Sequence, residues 1–259
     1  MLGKYSDILF LKLADQKKYR SKKTAVLCDQ THENQQKICL IFGPSNPISR
    51  LMKNEIQSAL AQSYSYEAYR TVVKNQFLAG KVTGLEQSES LLHYTELNEV
   101  RMHRLDKTTN LNPETLDAIS QWDKKILWLV LTEGWCGDGA QVLPVLHKIA
   151  QANANIDFKL VFRDQNEELI QLVLTNGSRA IPKLLIIDFE THTLLGQWGP
   201  RPQGAVELIA NYKKEHGVVD ETAKADLHLW YFHNKGLEIQ QEIVALMHQV
   251  LSTSLQNQE

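Results

Sequence analysis

The sequence contains no apolar run approaching the ~18–20 residues that cross a bilayer as a helix, so a helical membrane protein is not expected. Its charges nearly cancel: 28 Lys and Arg against 30 Asp and Glu leave a formal net charge of −2. That balance gives no reason to expect nucleic acid or an anionic membrane as the main partner. Short basic runs such as Lys17–Lys18 and Lys22–Lys23 read as solvated surface. Cysteine is scarce. The three, Cys28, Cys39 and Cys136, cannot all pair internally, which argues against a disulfide-stapled secreted scaffold. Near the N-terminus the patch Ile8–Leu11 is followed at once by Lys12, Asp15, Lys17 and Lys18, without the features of a secretory signal. A cytoplasmic protein is the resulting expectation. The nine histidines follow no ligand spacing, and Gly134 to Gly139 lacks the Lys-Ser/Thr ending of a phosphate-binding loop. No metal and no bound cofactor are expected.

What is present is an ordinary globular composition over a length that suits one large domain or two small ones. Residues 1–51 are poorly patterned, with a polar stretch from Asp29 to Gln36 and loop chemistry at Gly43-Pro44-Ser45-Asn46-Pro47. Cys28, His32 and Cys39 match no common zinc spacing, and reduced thiols are the plainer reading. Met52 opens a strongly helical pattern, which suggests that translation starts there and that residues 1–51 are an upstream extension or a disordered tail. Residues 52–109 then read as a helical hairpin. In its first helix Ile56, Leu60, Tyr64, Tyr66, Tyr69, Val73 and Phe77 recur at helical spacing, up to a stop at Gly80 and Gly84. The second runs from about Ser88 to Asp106, with Leu91, Leu92, Leu97, Val100 and Leu105 on one side. Arg101, His103 and Arg104 alternate with them and read as a basic helix face rather than an anion site.

From residue 110 the pattern alternates between helix and strand. Asn112-Pro113-Glu114 has the N-cap and first-turn proline of a helix start. The run Ile126 to Leu131 suits a strand buried on both faces. A helix over Asp138 to Ala150, a strand over Ile156 to Phe162 and a short helix from Glu167 to Leu174 follow. Strands at Lys183–Asp188 and Thr193–Trp198 are joined by a turn, and a helix from Gln203 to Glu215 closes the set. The order α-β-α-β-α-β-β-α predicts an α/β domain over 110–215. Strands separated by helices are expected to be parallel, and the final pair to be a hairpin. Two further helices, Ala223–His233 and Leu237–Leu251, fall in residues 216–259, with apolar faces large enough to need burial within the chain.

One segment carries chemistry. Leu129-Val130-Leu131-Thr132-Glu133-Gly134-Trp135-Cys136-Gly137-Asp138 resembles the strand-to-helix turn of the thioredoxin family, which places Trp-Cys-Gly after its central strand. Arg179-Ala180-Ile181-Pro182 resembles that family's cis-proline loop, which faces the active cysteine, and the element order and the late Gly199 add to the resemblance. The resemblance covers roughly 110–215 and implies a thioredoxin-like fold: a central mixed sheet flanked by helices, with an N-terminal helical hairpin and C-terminal helices added. It implies Cys136 as the catalytic thiol, and Trp135, Gly137, Ile181 and Pro182 as the substrate-binding surface. A cysteine at a helix N-terminus also meets unpaired N–H groups and the positive end of the helix dipole, which favour its thiolate.

The departures from the family are informative. Its dithiol motif is Cys-x-x-Cys, and this chain has Cys136-Gly137-Asp138-Gly139, so no thiol of the motif can release a mixed disulfide formed at Cys136, and Cys28 or Cys39 could do so only if the N-terminal segment is present and reaches the site. The family's buried acid, six residues before its first cysteine, is Val130 here. Asp138 in the first helical turn opposes thiolate formation. Ordinary dithiol reduction is therefore not expected. Two readings follow: monothiol disulfide chemistry on a protein disulfide or small-thiol substrate, resolved by a thiol such as glutathione, or a non-catalytic peptide-binding module. Glutathione transferase-like chemistry fits less well, because the helices after the domain are too few. His147 lies about three turns beyond Cys136, too far to serve as its base. Asp226, His228 and His233 read as a charged helix face.

Overall fold

The computed structural model describes residues 47–256; Cys28, His32, Cys39 and nearly all of the 1–51 segment lie outside the described residues. The first helix, α1 (Pro47–Ala61), begins five residues before Met52, which sits buried within it beside Ile56 and Ala59. The single helix expected from Met52 to Phe77 is broken. Tyr64 exchanges two backbone hydrogen bonds with Leu160 (2.8 and 2.9 Å), capping a sheet edge. Ser65 then starts a new helix, α2 (Tyr66–Leu78), by accepting the Ala68 amide on its hydroxyl. Pairing with the sheet edge outweighs a continuous helical pattern here. Helix α3 (Glu89–Thr108) follows, capped by Ser88.

The sequence assigns the wrong inner face to α3. Its buried residues are Thr95, Asn98 and Met102, while Val100 is exposed. The face turned inward is partly polar because it meets a loop backbone whose hydrogen-bonding groups need partners. Helix α4 (Pro113–Ser120) starts as its sequence predicts, with Asn112 Oδ1 accepting the Thr115 amide at 2.7 Å.

The sheet has four strands in the order β2-β1-β3-β4, with β1 (Ile126–Thr132), β2 (Ile156–Phe162), β3 (Lys183–Asp188) and β4 (Leu194–Trp198). Helix α5 (Gly137–Gln151) connects β1 to β2, which are parallel with Ile126 opposite Ile156. The expectation that helix-separated strands are parallel fails at β3, which runs antiparallel to β1 with Leu131 opposite Lys183. The intervening helix α6 (Glu167–Leu172) has six residues, and the chain leaves β2 and enters β3 at the same end of the sheet. A parallel crossover needs the chain carried back along the whole sheet. This return path brings Ile181 and Pro182 beside the end of β1.

Alternating residues divide β1 between two cores. Ile126, Trp128 and Val130 join Leu184 and Ile186 under α2, α3, α4 and α5. Leu127, Leu129 and Leu131 join Leu185 and Ile187 under α1 and α6. The C-terminal helices are α7 (Gln203–His216), α8 (Glu221–Asn234) and α9 (Leu237–Gln256). Ile239, Ile243, Met247 and Val250 of α9 are buried in the first core. On α8 Leu227 and Tyr231 point in, while Leu229 and Phe232 are exposed. Among the described residues, no helix is long and apolar enough to cross a membrane.

Candidate active site

Cys136 is the N-cap of α5, where an unpaired backbone donor needs an acceptor. Its Sγ accepts the Gly139 amide at 3.2 Å and donates its proton to the Ile181 carbonyl at 3.3 Å. The residue is 7% exposed and belongs to the apolar cluster between the sheet, α1 and α6. Burial, with the Asp138 carboxylate adding to it, pushes the thiol up to about 12. The Gly139 amide and the Arg201 guanidinium pull the other way without reversing that shift. The resting sulfur is a covered thiol acting as a donor.

Asp138 is itself tied down. Its Oδ2 accepts from Arg201 Nε and Nη2, both at 2.8 Å, and its Oδ1 accepts the Tyr231 hydroxyl at 2.9 Å. The carboxylate that opposes the thiolate therefore joins α5 to the loop before α7 and to α8. Tyr231 titrates well above its ordinary range, through burial and then the Asp138 charge.

The turn before Cys136 is fixed from three sides. Gly134 donates its amide to Thr83 Oγ1 at 2.8 Å and accepts on its carbonyl from Asn98 Nδ2 at 3.0 Å. A Cβ on Gly134 would lie 2.7 Å from Val73 Cγ1, so the position has no room for a side chain. Trp135 donates its indole N–H to the Thr83 carbonyl at 2.9 Å, and the Arg163 guanidinium lies 5.0 Å from its ring centre. Glu133 is fully buried and accepts the Asp164 amide at 3.0 Å; burial raises its carboxyl above the usual range.

The residues singled out from sequence do converge. Cys136, Gly137, Ile181 and Pro182 meet at the end of β1, and the Ile181–Pro182 peptide bond is cis. Gly199 approaches the same loop so closely that a Cβ would lie 2.4 Å from the Pro182 carbonyl oxygen. Yet the surface is closed: Ile181 and Pro182 are buried, and Trp135 is half-buried and held by its own partners. His147 is elsewhere, stacked on Tyr66 and 3.5 Å from Glu67. His228 is not simply part of a charged helix face: its ring lies 3.4 Å from where a Cβ on Gly137 would be. Sequence reading missed Thr83, Asn98, Glu133, Arg201 and Tyr231. Of these only Glu133, inside the motif itself, carries a local signal.

A cysteine capping the helix after β1, facing a proline loop on a mixed four-stranded sheet, defines a thioredoxin-like fold. The chain belongs to the thioredoxin family: the family model described as thioredoxin matches residues 84–213, half of the sequence, and takes in α3. None of the curated proteins matches it. Similar solved structures include a protein of unknown function from Pseudomonas aeruginosa, 20% identical over 71% of this chain and 98% of that one, with a TM-score of 0.45. Another is an HIV epitope-scaffold, 22% identical over 68% of this chain and 96% of that one, also with a TM-score of 0.45.

Proposed function

We propose that the protein carries out monothiol disulfide exchange at Cys136, from a thiol kept covered and protonated at rest. The observation that supports this reading best is the position of Sγ, capping α5 at hydrogen-bond distance from the loop at Ile181. In the first step the Cys136 thiolate attacks one sulfur of a disulfide, forms a mixed disulfide and releases the other sulfur as a thiolate. With Gly139 at the second motif position, a small external thiol such as glutathione attacks that mixed disulfide, freeing Cys136 and carrying away the bound half as a new disulfide. Burial is the largest cause of the raised thiol pKa. Opening of the site to solvent before the substrate docks weakens that cause, and the Gly139 amide and Arg201 then favour the thiolate. Ile181 and Pro182 would line the substrate, with Trp135 and Gly137 at its edge.

The burial of Sγ favours a second reading, in which the same surface binds a peptide and the cysteine takes no chemical part. Incubation with glutathione disulfide and mass analysis of the Cys136 peptide separates the two. Exchange predicts a glutathione adduct that forms slowly, is reversed by reduced glutathione and is absent in Cys136→Ser. Peptide binding unchanged by Cys136→Ser, with no adduct on the native chain, is the outcome of the second reading.

A further inference from the structure

We propose that the Thr132 hydroxyl donates a hydrogen bond to the Cys136 sulfur once the thiol has lost its proton. The assignment rests on the reading of Cys136 as a reactive thiol and adds the side chain that holds its charged form. Thr132 ends β1 and is fully buried, and its Oγ1 has no hydrogen-bond partner among the described residues. That oxygen lies against the first turn of α5. A Cβ built on Gly139 would be 2.8 Å from Thr132 Oγ1, 3.3 Å from Cys136 Cβ and 3.5 Å from Sγ. The hydroxyl and the sulfur therefore border the same small space beside Gly139.

In the resting state the two do not bond. The thiol proton goes instead to the Ile181 carbonyl at 3.3 Å. That arrangement serves only the neutral sulfur, because a carbonyl oxygen repels a thiolate. When the proton passes to water, the sulfur needs donors. The Gly139 amide is already in place at 3.2 Å, and the Asp138 amide also favours the anion. Thr132 supplies a side-chain donor, and rotation about a Cα–Cβ bond turns its hydroxyl toward the sulfur. The Tyr69 hydroxyl is the competing acceptor. Burial, then the charges of Cys136 and Glu133, hold Tyr69 above its ordinary range; Thr132 opposes this, but from outside hydrogen-bond geometry.

Orphaned polar atoms gather at this turn. Of the five buried side-chain atoms without a partner among the described residues, Thr132 Oγ1 and Glu133 Oε2 precede Cys136, and His228 Nδ1 belongs to the ring against Gly137. Glu133 and His228 limit the cost by staying neutral: burial raises the carboxyl and pushes the imidazole down to about 4. A hydroxyl has no charge to shed, so its missing partner remains a penalty. A valine of the same shape would extend the apolar run Ile126–Leu131 without that penalty. The orphan has a purpose if another state of the site supplies the acceptor, and the thiolate is the acceptor at hand.

Alkylation of Cys136 by iodoacetamide at mildly alkaline pH, in the full-length protein and read by peptide mass, tests the assignment. Thr132→Val and Thr132→Ala remove the hydroxyl, and Thr132→Ser keeps it. Below the midpoint of the thiol the rate follows the thiolate fraction. Loss of one hydrogen bond to a charged sulfur therefore predicts a fall of at least ~10-fold in the Val and Ala variants. The Ser variant is expected to react like the native chain. Hydrogen exchange in residues 133–139 reads opening of the turn separately and is expected to stay unchanged in Thr132→Val. Native rates in the Val and Ala variants overturn the proposal. So does a Ser variant slowed as much as Val, or a fall in rate matched by an equal slowing of exchange, which marks opening rather than support of the charge. Glutathione disulfide has no part in this test. A chain that alkylates as expected but forms no glutathione adduct upholds Thr132 and contradicts the exchange reaction.

Discussion

The sulfur of Cys136 is governed by opposing neighbours within a few ångströms. Asp138 disfavours the thiolate, and the Gly139 amide and Arg201 favour it, but burial outweighs them all. Replacing Asp138 by Asn removes the one opposing charge and frees Arg201 from its carboxylate partner. The pH midpoint for Cys136 alkylation is then expected to fall by roughly one unit or more, the usual effect of a close charge. An unchanged midpoint would show that Asp138 does not act on the thiol. Gly139 stands where the family's second cysteine belongs, and a Cβ there would come within 2.8 Å of Thr132 Oγ1. Gly139→Cys is therefore expected to cost about 1–3 kcal/mol through overpacking, read as a lower midpoint in urea unfolding. The missing partner is thus matched by packing that has closed around its absence, which the sequence alone does not reveal. Cys136 and Ile181-Pro182 were legible because a short motif at suitable separation identifies them. Arg201 and Tyr231, 65 and 95 residues further along the chain, carry no local mark and reach Asp138 only through the tertiary fold.

At the level of elements, most strands are plain in the sequence because their cores are two-sided or alternating. The runs Ile156–Phe162 and Lys183–Asp188 are read to the residue. The direction of β3 was not legible, since a six-residue helix looks the same in sequence whether it crosses the sheet or turns back. Nor was the break between α1 and α2, where a backbone bridge from Tyr64 to Leu160 decides the geometry. Helix α3 is the most instructive miss. Apolar periodicity favours the side bearing Val100, but the buried side carries Asn98, whose amide holds the turn before Cys136. Asn98→Ala leaves the buried Gly134 carbonyl without that donor and Arg101 without its acceptor. The expected cost is about 1–3 kcal/mol in unfolding free energy, with faster hydrogen exchange in residues 133–137. Unchanged exchange in that turn would contradict the bracing role assigned to α3.

Across the whole molecule, helices on both faces of a small sheet cover a site that the family motif places at its edge. Part of that cover is α8, which brings Tyr231 to Asp138 and His228 to Gly137. Burial, and then Arg101, pushes His228 down to about 4; Arg201 adds to this and Asp138 opposes it. An unfolded histidine titrates near 6.5, so between about pH 6.5 and 4 the unfolded chain binds a proton that the folded chain refuses. Stability carried by the neutral ring is present above that window and is lost as the pH falls through it. Urea unfolding of the native chain should therefore lose up to roughly 3 kcal/mol more across this range than His228→Gln. Parallel pH profiles would contradict this. The state of the sulfur is tested most directly by the alkylation rate of Cys136 in the folded, full-length protein across pH, read by peptide mass to separate it from Cys28 and Cys39. A covered, protonated thiol predicts slow alkylation at neutral pH and a midpoint well above the ~8.5 of a free thiol. A midpoint at or below that value, with rapid reaction at neutral pH, would mean an open and poised thiolate and would contradict the account.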